Sequence, residues 1–300
     1  RIEKMVVTST THIPALELLN VEETLIGFPG TDYVSSIKTR QRIDNGNIRE
    51  LGKNEGINTE VLLELRPDIV VAFDEPAAPF HDEKYVKESS RRTHAWALRS
   101  LAARTSDQAL YGVVQGGAFE ELRRESAKTL GALPFDGYAI GGSYGDAYGG
   151  TKEGTTEMIR WAVDHLPEDR PRHLFGVGEL DDLVEGVMQG IDTFDCVIPT
   201  REARHGRIWT REGYYNVKKG KMKGNLEPLE VGCGCPTCSN GATKTDLKER
   251  FDAKDTEGAR LATLHNIWFF NNFMKDMRKA IKEGKLEEFR AALPKKKTTE

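Results

Sequence analysis

The stretch that decides the fold is Leu110-Tyr-Gly-Val-Val-Gln115, a short apolar run that ends on a polar side chain. Strands that are buried on both faces of a parallel sheet read as continuous apolar runs of this length. Four more runs of the same kind lie along the chain, at residues 68–74, 138–142, 173–178 and 193–199. Together the runs predict five parallel β-strands.

Stretches with the apolar spacing of amphipathic helices separate these strands, at residues 83–104, 118–131, 152–166 and 179–190. Each helix can supply the right-handed crossover that joins two parallel strands. We therefore expect an α/β fold, and five successive βα units favour a (β/α)8 TIM-type barrel over an open doubly wound sheet. Repetition alone leaves both architectures open.

The same alternation predicts how the chain is divided. Residues 66–199 form the barrel core. Residues 1–65 alternate poorly, which predicts an N-terminal part of the barrel that is divergent or incomplete. Residues 200–292 begin with a stretch rich in Gly, Lys and Arg and continue into a long helix at about 256–283. We expect an inserted zinc-binding subdomain and C-terminal helices there, followed by a tail at 293–300.

The composition is that of a soluble globular protein, with 38% hydrophobic and 30% charged residues. No apolar run approaches the roughly 18 residues that a membrane helix needs. The N-terminal residues Arg1-Ile2-Glu3-Lys4 lack the apolar core of a secretory signal. We expect a cytoplasmic protein with no membrane partner. The formal net charge of −4 argues against a surface covered by nucleic acid but leaves a local basic patch open.

Three of the four cysteines lie close together, in Cys233-Gly-Cys-Pro-Thr-Cys238. A disulfide framework spreads its cysteines to close long loops, whereas this crowding suits thiolates that converge on one tetrahedral zinc ion. The fourth cysteine, Cys196, lies in an apolar run and reads as a small core residue. His265 on the predicted long helix is the natural fourth ligand, and the alternative is an ordinary helix histidine without a metal.

Polar residues and glycines stand at the ends of the predicted strands. Asp74, Gln115 and Asp195 end three of the runs, and Gly141 and Gly142 end a fourth. Barrel folds assemble their sites at this end of the strands. A single Asp could cap a helix or pair with an arginine, but two at equivalent strand ends indicate a site because an unpaired buried carboxylate is costly. Paired carboxylates, here Asp74 and Asp195, suggest chemistry at a sugar carbon, with one acting as nucleophile and the other handling protons or recognising the leaving group.

Basic residues cluster after the last predicted strand. The members of this cluster are Arg201, Arg204, Arg207, Arg211, Lys218, Lys219, Lys221 and Lys223. Cations at this density can contact the phosphates of a nucleic acid. A solvated, charged loop is the alternative, and composition does not separate the two.

These motifs resemble those of the tRNA-guanine transglycosylase (queuine tRNA-ribosyltransferase) family. The resemblance lies in Gly112-Val-Val-Gln-Gly-Gly117, Phe135-Asp-Gly-Tyr-Ala-Ile-Gly-Gly142, Gly176-Val-Gly178, Phe194-Asp-Cys-Val-Ile-Pro-Thr-Arg201, the cysteine cluster and Leu264-His265-Asn266. It extends in order from about residue 66 to residue 292. The resemblance implies a barrel with a zinc insertion, and an exchange of the wobble guanine of tRNA for a 7-deazaguanine such as preQ1 or queuine.

The resemblance also implies roles for the residues at the strand ends. Asp195 matches the family nucleophile, which attacks the ribose and holds the RNA covalently while the bases exchange. Asp74 matches the carboxylate that reads the N–H edge of the base. Gln115 and the backbone at Gly141 and Gly142 match contacts to the carbonyl side of the base.

Outside the barrel, the resemblance assigns the RNA contacts and the metal. Arg201, Arg204 and His205 fall in the loop that contacts the anticodon. His265 matches the fourth ligand of a structural Zn²⁺. The implied partners are tRNA, a 7-deazaguanine base and a second subunit, in a homodimer or a heterodimer.

Two features depart from the family pattern. The family's Asp-Ser-Gly-Gly-Phe/Tyr-Gln motif, whose Asp takes part in proton handling, has no counterpart upstream of Asp74. The segment Gly141-Gly-Ser-Tyr-Gly-Asp146 is one residue shorter than the family form, so Tyr144 and Asp146 leave the base preference open. Two alternatives to an active enzyme on tRNA therefore stay open. One is a catalytically weak RNA-binding partner subunit of a heterodimer, and the other is a paralogue that modifies DNA.

Overall fold

A computed structural model of the chain describes residues 2–7, 13–53, 56–104, 107–142 and 152–294. The chain divides into two compact units. The sheet unit comprises Asp68–Cys196, and the cysteine unit comprises Arg1–Pro67 together with Val197–Glu300. Each unit has a hydrophobic core of its own.

The described strands, in chain order, are β1 (Met5–Val6), β2 (Leu25–Phe28), β3 (Arg49–Glu50), β4 (Gly52–Lys53), β5 (Gly56–Ile57), β6 (Ile69–Val71), β7 (Ala109–Val114), β8 (Gly137–Ile140), β9 (Arg172–Leu174), β10 (Thr193–Phe194), β11 (Arg207–Thr210) and β12 (Gly213–Asn216). The described α-helices are α1 (Ile13–Leu18), α2 (Ile37–Asp44), α3 (Thr59–Leu65), α4 (Glu83–Ala103), α5 (Glu120–Gly131), α6 (Lys152–Val163), α7 (Leu180–Met188), α8 (Ile198–Arg204), α9 (Pro236–Ser239), α10 (Lys244–Asp252), α11 (Thr256–Lys282) and α12 (Leu286–Ala291).

The sheet unit is built on one parallel sheet with the strand order β10-β9-β8-β7-β6. Each strand pairs with the next one along the chain, and α4, α5, α6 and α7 lie between successive strands in the sequence. A strand that enters a crossover helix returns to a neighbouring parallel position, which gives this sequential order. The prediction of an α/β fold with five parallel strands is confirmed.

The core of the sheet unit packs the sheet against its helices. Val114 and Ile140 near the ends of β7 and β8 are fully buried beside Ala127 and Leu130 of α5 and Ile159 of α6. Burying one such aliphatic side chain stabilises a fold by about 1.5–3 kcal/mol. This packing fixes the ends of the two central strands, where the polar residues follow.

Three details of the sequence prediction are wrong. The run at 193–199 is a strand only through Phe194, because α8 begins at Ile198 and Pro199 occupies its first turn, where proline is well tolerated. Cys196 is partly exposed and is not a core residue. The strand β6 is not buried on both faces, since it is an end strand of the sheet and Ile69 and Val71 are exposed.

The cysteine unit holds the remaining strands and the long helix. The strands β1, β2 and β3 form a parallel sheet, and β11 pairs with β12 in an antiparallel hairpin. The helix α11 packs against α8, α9, α10 and β11. Ala203, Ile208, Val217, Leu247 and Ala262 form the centre of this packing. None of the helices in the described ranges is long and apolar enough to cross a membrane.

Candidate active site and metal centre

Asp195 directly follows β10, and its carboxylate is held on one side. Its Oδ1 accepts one hydrogen bond from His173 Nε2 at 3.2 Å and another from the backbone N–H of Gly176 at 3.1 Å. Both donors come from β9 and the turn after it, where the φ of +72° at Gly176 favours glycine. No side chain among the described residues donates to Oδ2.

These hydrogen bonds keep Asp195 ionised. Partial burial acts to raise the pKa of Asp195, but the bonds from His173 and Gly176 outweigh it, and the pKa lies below its usual range. The side chain is 60% exposed, so a substrate can reach it. An ionised carboxylate with one oxygen held and the other open can act as a nucleophile.

Asp74 and Gln115 form a second pair at the carboxyl end of the sheet. Asp74 follows β6, Gln115 follows β7, and these neighbouring strands are parallel. Gln115 Nε2 donates a hydrogen bond to Asp74 Oδ2 at 2.6 Å. Burial raises the pKa of Asp74, and the bond from Gln115 offsets this only in part. The structure therefore brings two of the predicted site residues into direct contact.

Gln115 has an unused acceptor in a buried place. Gln115 is 2% exposed, and its Oε1 has no hydrogen-bond partner among the described residues. An unpaired buried acceptor costs about 1–3 kcal/mol, which indicates a donor that arrives with a ligand. Gly141 packs against the same amide, because a Cβ at this position would lie 2.2 Å from Gln115 Nε2. A side chain at this position would have to displace the Gln115 amide.

Cys233, Cys235, Cys238 and His265 converge in the cysteine unit. Their ligand atoms all lie within 4.8 Å of one another. His265 Nδ1 is 3.8, 3.4 and 3.6 Å from the sulfurs of Cys233, Cys235 and Cys238, respectively. The ligand edge between sulfur and nitrogen in a tetrahedral zinc site is about 3.6 Å, given the usual bond lengths. The spacing and chemistry of these four side chains thus fit a metal ion.

The orientation of His265 is set by its other ring nitrogen. Nε2 lies 2.8 Å from the carbonyl oxygen of Trp209, which can only accept, so Nε2 carries the proton and Nδ1 presents its lone pair to the sulfurs. The next residue, Asn266, accepts a hydrogen bond from the Trp209 N–H at 3.0 Å. Asn266 also donates to the carbonyl oxygens of Pro199 and Arg207. Buried hydrogen bonds therefore hold this candidate metal ligand in place.

Comparison with known proteins decides the family. A family model described as queuine tRNA-ribosyltransferase matches residues 33–299. The chain belongs to this family. A queuine tRNA-ribosyltransferase from Francisella tularensis subsp. tularensis (strain WY96-3418) is 38% identical over an alignment of 309 residues, gaps included. The alignment covers 96% of this chain and 83% of that protein. Another from Staphylococcus haemolyticus (strain JCSC1435) is 43% identical over 233 residues, or 77% of this chain and 60% of that protein.

Membership in the queuine tRNA-ribosyltransferase family makes this chain a pentosyltransferase, as the sequence motifs predicted. The resemblance to that family is thereby confirmed. It extends well beyond the residues of the two candidate sites, since the family model covers most of the chain. Tyr144 and Asp146, on which the predicted base preference depends, lie outside the described residues.

The basic cluster predicted at residues 201–223 lies on the cysteine unit. Arg201 and Arg204 are exposed on α8, and His205 follows them and is also exposed. A cavity of about 230 Å³ opens beside the hairpin. It is lined by Arg207, Tyr214, Tyr215, Asn216, Lys219 and Lys221. The Arg207 guanidinium lies 4.3 Å from the centre of the Tyr214 ring, so the cavity combines cations with an aromatic face.

Sequence reasoning missed three residues that this queuine tRNA-ribosyltransferase family member places at its sites. His173 contacts Asp195 only because the register of β9 and β10 sets it opposite Thr193. Asn266 was part of a matching motif, but its role depends on a strand far away in the sequence. Arg123 is a charged residue on the buried face of α5, and this contradiction of the helix pattern was the available signal.

Proposed function

We propose that this chain exchanges the wobble guanine of a tRNA for a 7-deazaguanine base of the preQ1 or queuine type. The reaction would proceed by double displacement through a covalent intermediate between Asp195 and the ribose. The observation that carries the proposal is the carboxylate of Asp195, which is ionised, exposed, and held at Oδ1 by His173 and Gly176. Its Oδ2 is the oxygen that attacks.

In the first step, Asp195 Oδ2 forms a bond to C1′ of the ribose. The C1′–N9 bond breaks, its electron pair leaves with guanine, and the base takes up a proton from solvent water. In the second step, N9 of the incoming base attacks C1′ and gives its proton back to solvent, while the bond from C1′ to Asp195 breaks and restores the carboxylate. Two displacements at one carbon retain the configuration, as in retaining glycosidases.

The pocket at the ends of β6, β7 and β8 reads the base. Asp74 accepts hydrogen bonds from the N–H edge of the base, and the Gln115 side chain with the backbone at Gly141 and Gly142 contacts its carbonyl side. The direct bond from Gln115 to Asp74 and the absence of a Cβ at Gly141 support this assignment. The unused Oε1 of buried Gln115 can only accept, so it supports a ligand N–H at this place, while the second hydrogen of Nε2 is the donor for the carbonyl side.

The proposal includes a (β/α)8 barrel and the domain scheme that goes with it. The sequential order of five parallel strands supports a barrel, because consecutive strands are neighbours throughout such a fold. In this scheme, residues 66–199 are the barrel core, residues 1–65 are its divergent N-terminal part, residues 200–292 carry the metal and the C-terminal helices, and residues 293–300 are a tail.

The metal held by Cys233, Cys235, Cys238 and His265 is a structural Zn²⁺ in this proposal. Three thiolates and one imidazole are a common zinc ligand set. Four protein ligands fill a tetrahedral shell and leave no position for a substrate or an activated water. The ion would hold the hairpin, α9 and α11 together, and the chemistry belongs to Asp195.

The RNA contacts in this proposal involve Arg201, Arg204 and His205, together with the basic cavity beside the hairpin. The exposure of these three side chains supports the assignment, since exposed cations can approach phosphates. We further propose that the protein acts in the cytoplasm, where tRNA is available, and that it forms a homodimer or a heterodimer.

A catalytically weak RNA-binding partner subunit is the second candidate function. The observation that favours it is the missing Asp-Ser-Gly-Gly-Phe/Tyr-Gln motif, which the family uses for proton handling. The hydrogen bonds made by Asp195 and Asp74 favour an active enzyme, because a scaffold does not need a poised carboxylate. Exchange on DNA, a third reading, is tested by the same assay with a DNA substrate.

The test is to incubate the protein with tRNA and labelled guanine and then to separate the RNA on a denaturing gel. We expect label in the RNA with the wild-type protein, and loss of labelling in Asp195→Ala and Asp195→Asn. Arg170→Ala, a substitution at an exposed arginine of the sheet unit, serves as the control and should label normally. If no label enters tRNA or DNA at high protein concentration, the proposal of an active enzyme is refuted in favour of a catalytically weak RNA-binding partner subunit. Label that enters DNA but not tRNA would show that the chain is a paralogue that modifies DNA.

A further inference from the structure

Arg123 is a fully buried arginine in the sheet unit, with 0% of its surface exposed. Its Nε and Nη2 donate to the carbonyl oxygen of Gly117 at 3.0 and 2.6 Å, and its Nη1 donates to the carbonyl oxygen of Gly141 at 2.9 Å. Within the described ranges, all hydrogen bonds of its guanidinium go to these two backbone carbonyls. A buried cation that is bound only to backbone carbonyls suggests a role beyond charge pairing.

The two carbonyls belong to the segments that flank the proposed base pocket. Gly117 follows Gln115 after β7, and Gly141 directly follows β8. The turn after β7 is closed on α5, because a Cβ at Gly116 would lie 2.6 Å from the Arg123 Cα. Gly116 also has a φ of +135°, which side chains rarely adopt. Arg123 therefore connects both pocket segments from behind.

The bond to Gly141 has a consequence for Gly142. The carbonyl of Gly141 and the N–H of Gly142 belong to one planar trans peptide, so they point in opposite directions. With the carbonyl oxygen fixed on Arg123, the N–H of Gly142 must face the other way. No backbone hydrogen bond from this N–H to another described residue is present. Gly142 thus offers an oriented donor to a ligand.

We infer that Arg123 is a positioning residue for base recognition. By holding the Gly141 carbonyl, it aims the Gly142 N–H at the carbonyl oxygen of the bound base. The inference rests on the proposed function, which places a base with such an oxygen in this pocket. The competing explanation is that Arg123 only stabilises the fold.

A matched control exists in Arg172. This residue is 7% exposed and also donates to two backbone carbonyls of the sheet unit, at Leu166 and Gly190. It lies at the start of β9, the strand end opposite to the one that leads into the pocket. Arg172→Met should therefore cost stability as Arg123→Met does, with no effect on the base. Arg123→Lys keeps the charge and one donor if Arg123→Met does not fold.

The experiment measures the dissociation constants of guanine and 2-aminopurine for the full chain by equilibrium dialysis, with the thermal midpoint Tm determined for each variant. The base 2-aminopurine lacks the C6 oxygen. We expect Arg123→Met to weaken guanine binding by about tenfold or more, the worth of one well-placed hydrogen bond. It should change 2-aminopurine binding by less than about twofold. Arg123→Lys should fall between wild type and Arg123→Met, and Arg172→Met should bind guanine as wild type does.

Three results from the variants would overturn the inference. One is a folded Arg123 variant that binds guanine within about twofold of wild type. Another is an equal loss for both bases, and the third is an equal loss in Arg172→Met. Wild-type protein that binds no guanine would sink both the inference and the proposed pocket. Wild-type protein that binds guanine but labels no tRNA would refute the proposed activity alone, because the dialysis still measures the role of Arg123.

Discussion

His265 donates its Nε2 proton to the carbonyl oxygen of Trp209 at 2.8 Å, and this bond turns Nδ1 towards three cysteine sulfurs. The adjacent residue, Asn266, accepts a hydrogen bond from the N–H of the same Trp209. Two consecutive residues of α11 thus bind both backbone groups of one residue in β11. The candidate metal ligand is oriented by the hairpin, so we expect metal binding and the packing of α11 to depend on each other.

Replacing the ligand should remove the metal. We expect wild-type protein to hold about one zinc ion per chain and His265→Ala to lose most of it, because three thiolates leave the tetrahedral shell open. Zinc content of the purified protein by mass spectrometry, together with Tm, is the measurement. His205→Ala is the control, since that exposed histidine lies in the same unit outside the ligand cluster. Full zinc content in His265→Ala would remove His265 from the ligand set.

Replacing Asn266 should weaken both the fold and the metal site. Asn266→Ala removes the three hydrogen bonds of a buried side chain and leaves the Trp209 N–H without its acceptor. At about 1 kcal/mol each, these bonds predict a loss of about 3 kcal/mol in the free energy of unfolding, measured by urea denaturation. Zinc affinity should fall by about tenfold or more in a chelator competition assay, as for other changes behind a metal ligand.

The control for this change is Asn272→Ala on the same helix. Asn272 is partly exposed, and its side chain donates only to the carbonyl of Trp268 one turn earlier, in a hydrogen bond at the surface. Its loss should change the free energy of unfolding by less than about 0.5 kcal/mol, as is usual for surface positions. Equal losses of unfolding free energy in the two variants would show that the hydrogen bond from Asn266 to β11 does not stabilise the fold more than a surface hydrogen bond does.

The sequence was sufficient for features that depend on local spacing. The cluster Cys233-Gly-Cys-Pro-Thr-Cys238 identified three of the four converging ligand groups, and apolar runs located the strands of the sheet unit within a few residues. Both signals arise from neighbours in the chain, where side-chain periodicity and ligand spacing are visible. The end of the strand at 193–199 was misjudged because Val197 and Ile198 are apolar although the helix has already begun at Ile198.

Features that depend on pairing between distant segments could not be predicted. His173 reaches Asp195 through a parallel register, and a shift of one residue would turn its side chain to the other face of the sheet. Arg123 is read correctly only when α5 is known to turn that face inward, towards Gly117 and Gly141. The helix pattern shows that a charged residue interrupts the apolar face of α5, but it does not show which groups that residue binds.

The bond between His173 and Asp195 should set the pH dependence of the reaction. In His173→Ala, Asp195 loses a donor that lowers its pKa, so the pKa should move up. The acid limb of the pH profile for kcat/KM should then shift to higher pH, because the nucleophile must be ionised. The rate at neutral pH should fall by about ten- to 100-fold, the worth of one hydrogen bond to a charged group.

Guanine incorporation into tRNA across a pH series provides this measurement. His165→Ala is a matched control, since His165 is a partly buried histidine of the same unit that contacts Arg124 rather than Asp195. Its profile should coincide with that of wild type. A His173→Ala profile with the wild-type acid limb would mean that this hydrogen bond does not govern the ionisation of Asp195.

The ionised carboxylate of Asp74 should bind the base but should also lower the stability of the folded protein, because it is partly buried. Burial raises the pKa of Asp74, so the folded protein binds the proton more tightly than the unfolded chain does. The stability contributed by the protonated group is complete below the unfolded pKa and is lost as the pH rises through the folded pKa.

The substitution Asp74→Asn removes this loss of stability and keeps an acceptor for Gln115 Nε2. We therefore expect the Tm of Asp74→Asn to rise relative to that of wild type as the pH increases above about 4, the usual pKa of an aspartate. Its guanine affinity should fall by about tenfold or more, because an amide cannot accept from the base as a carboxylate does. A Tm difference that stays constant over this pH range would show that Asp74 has the same pKa in both states.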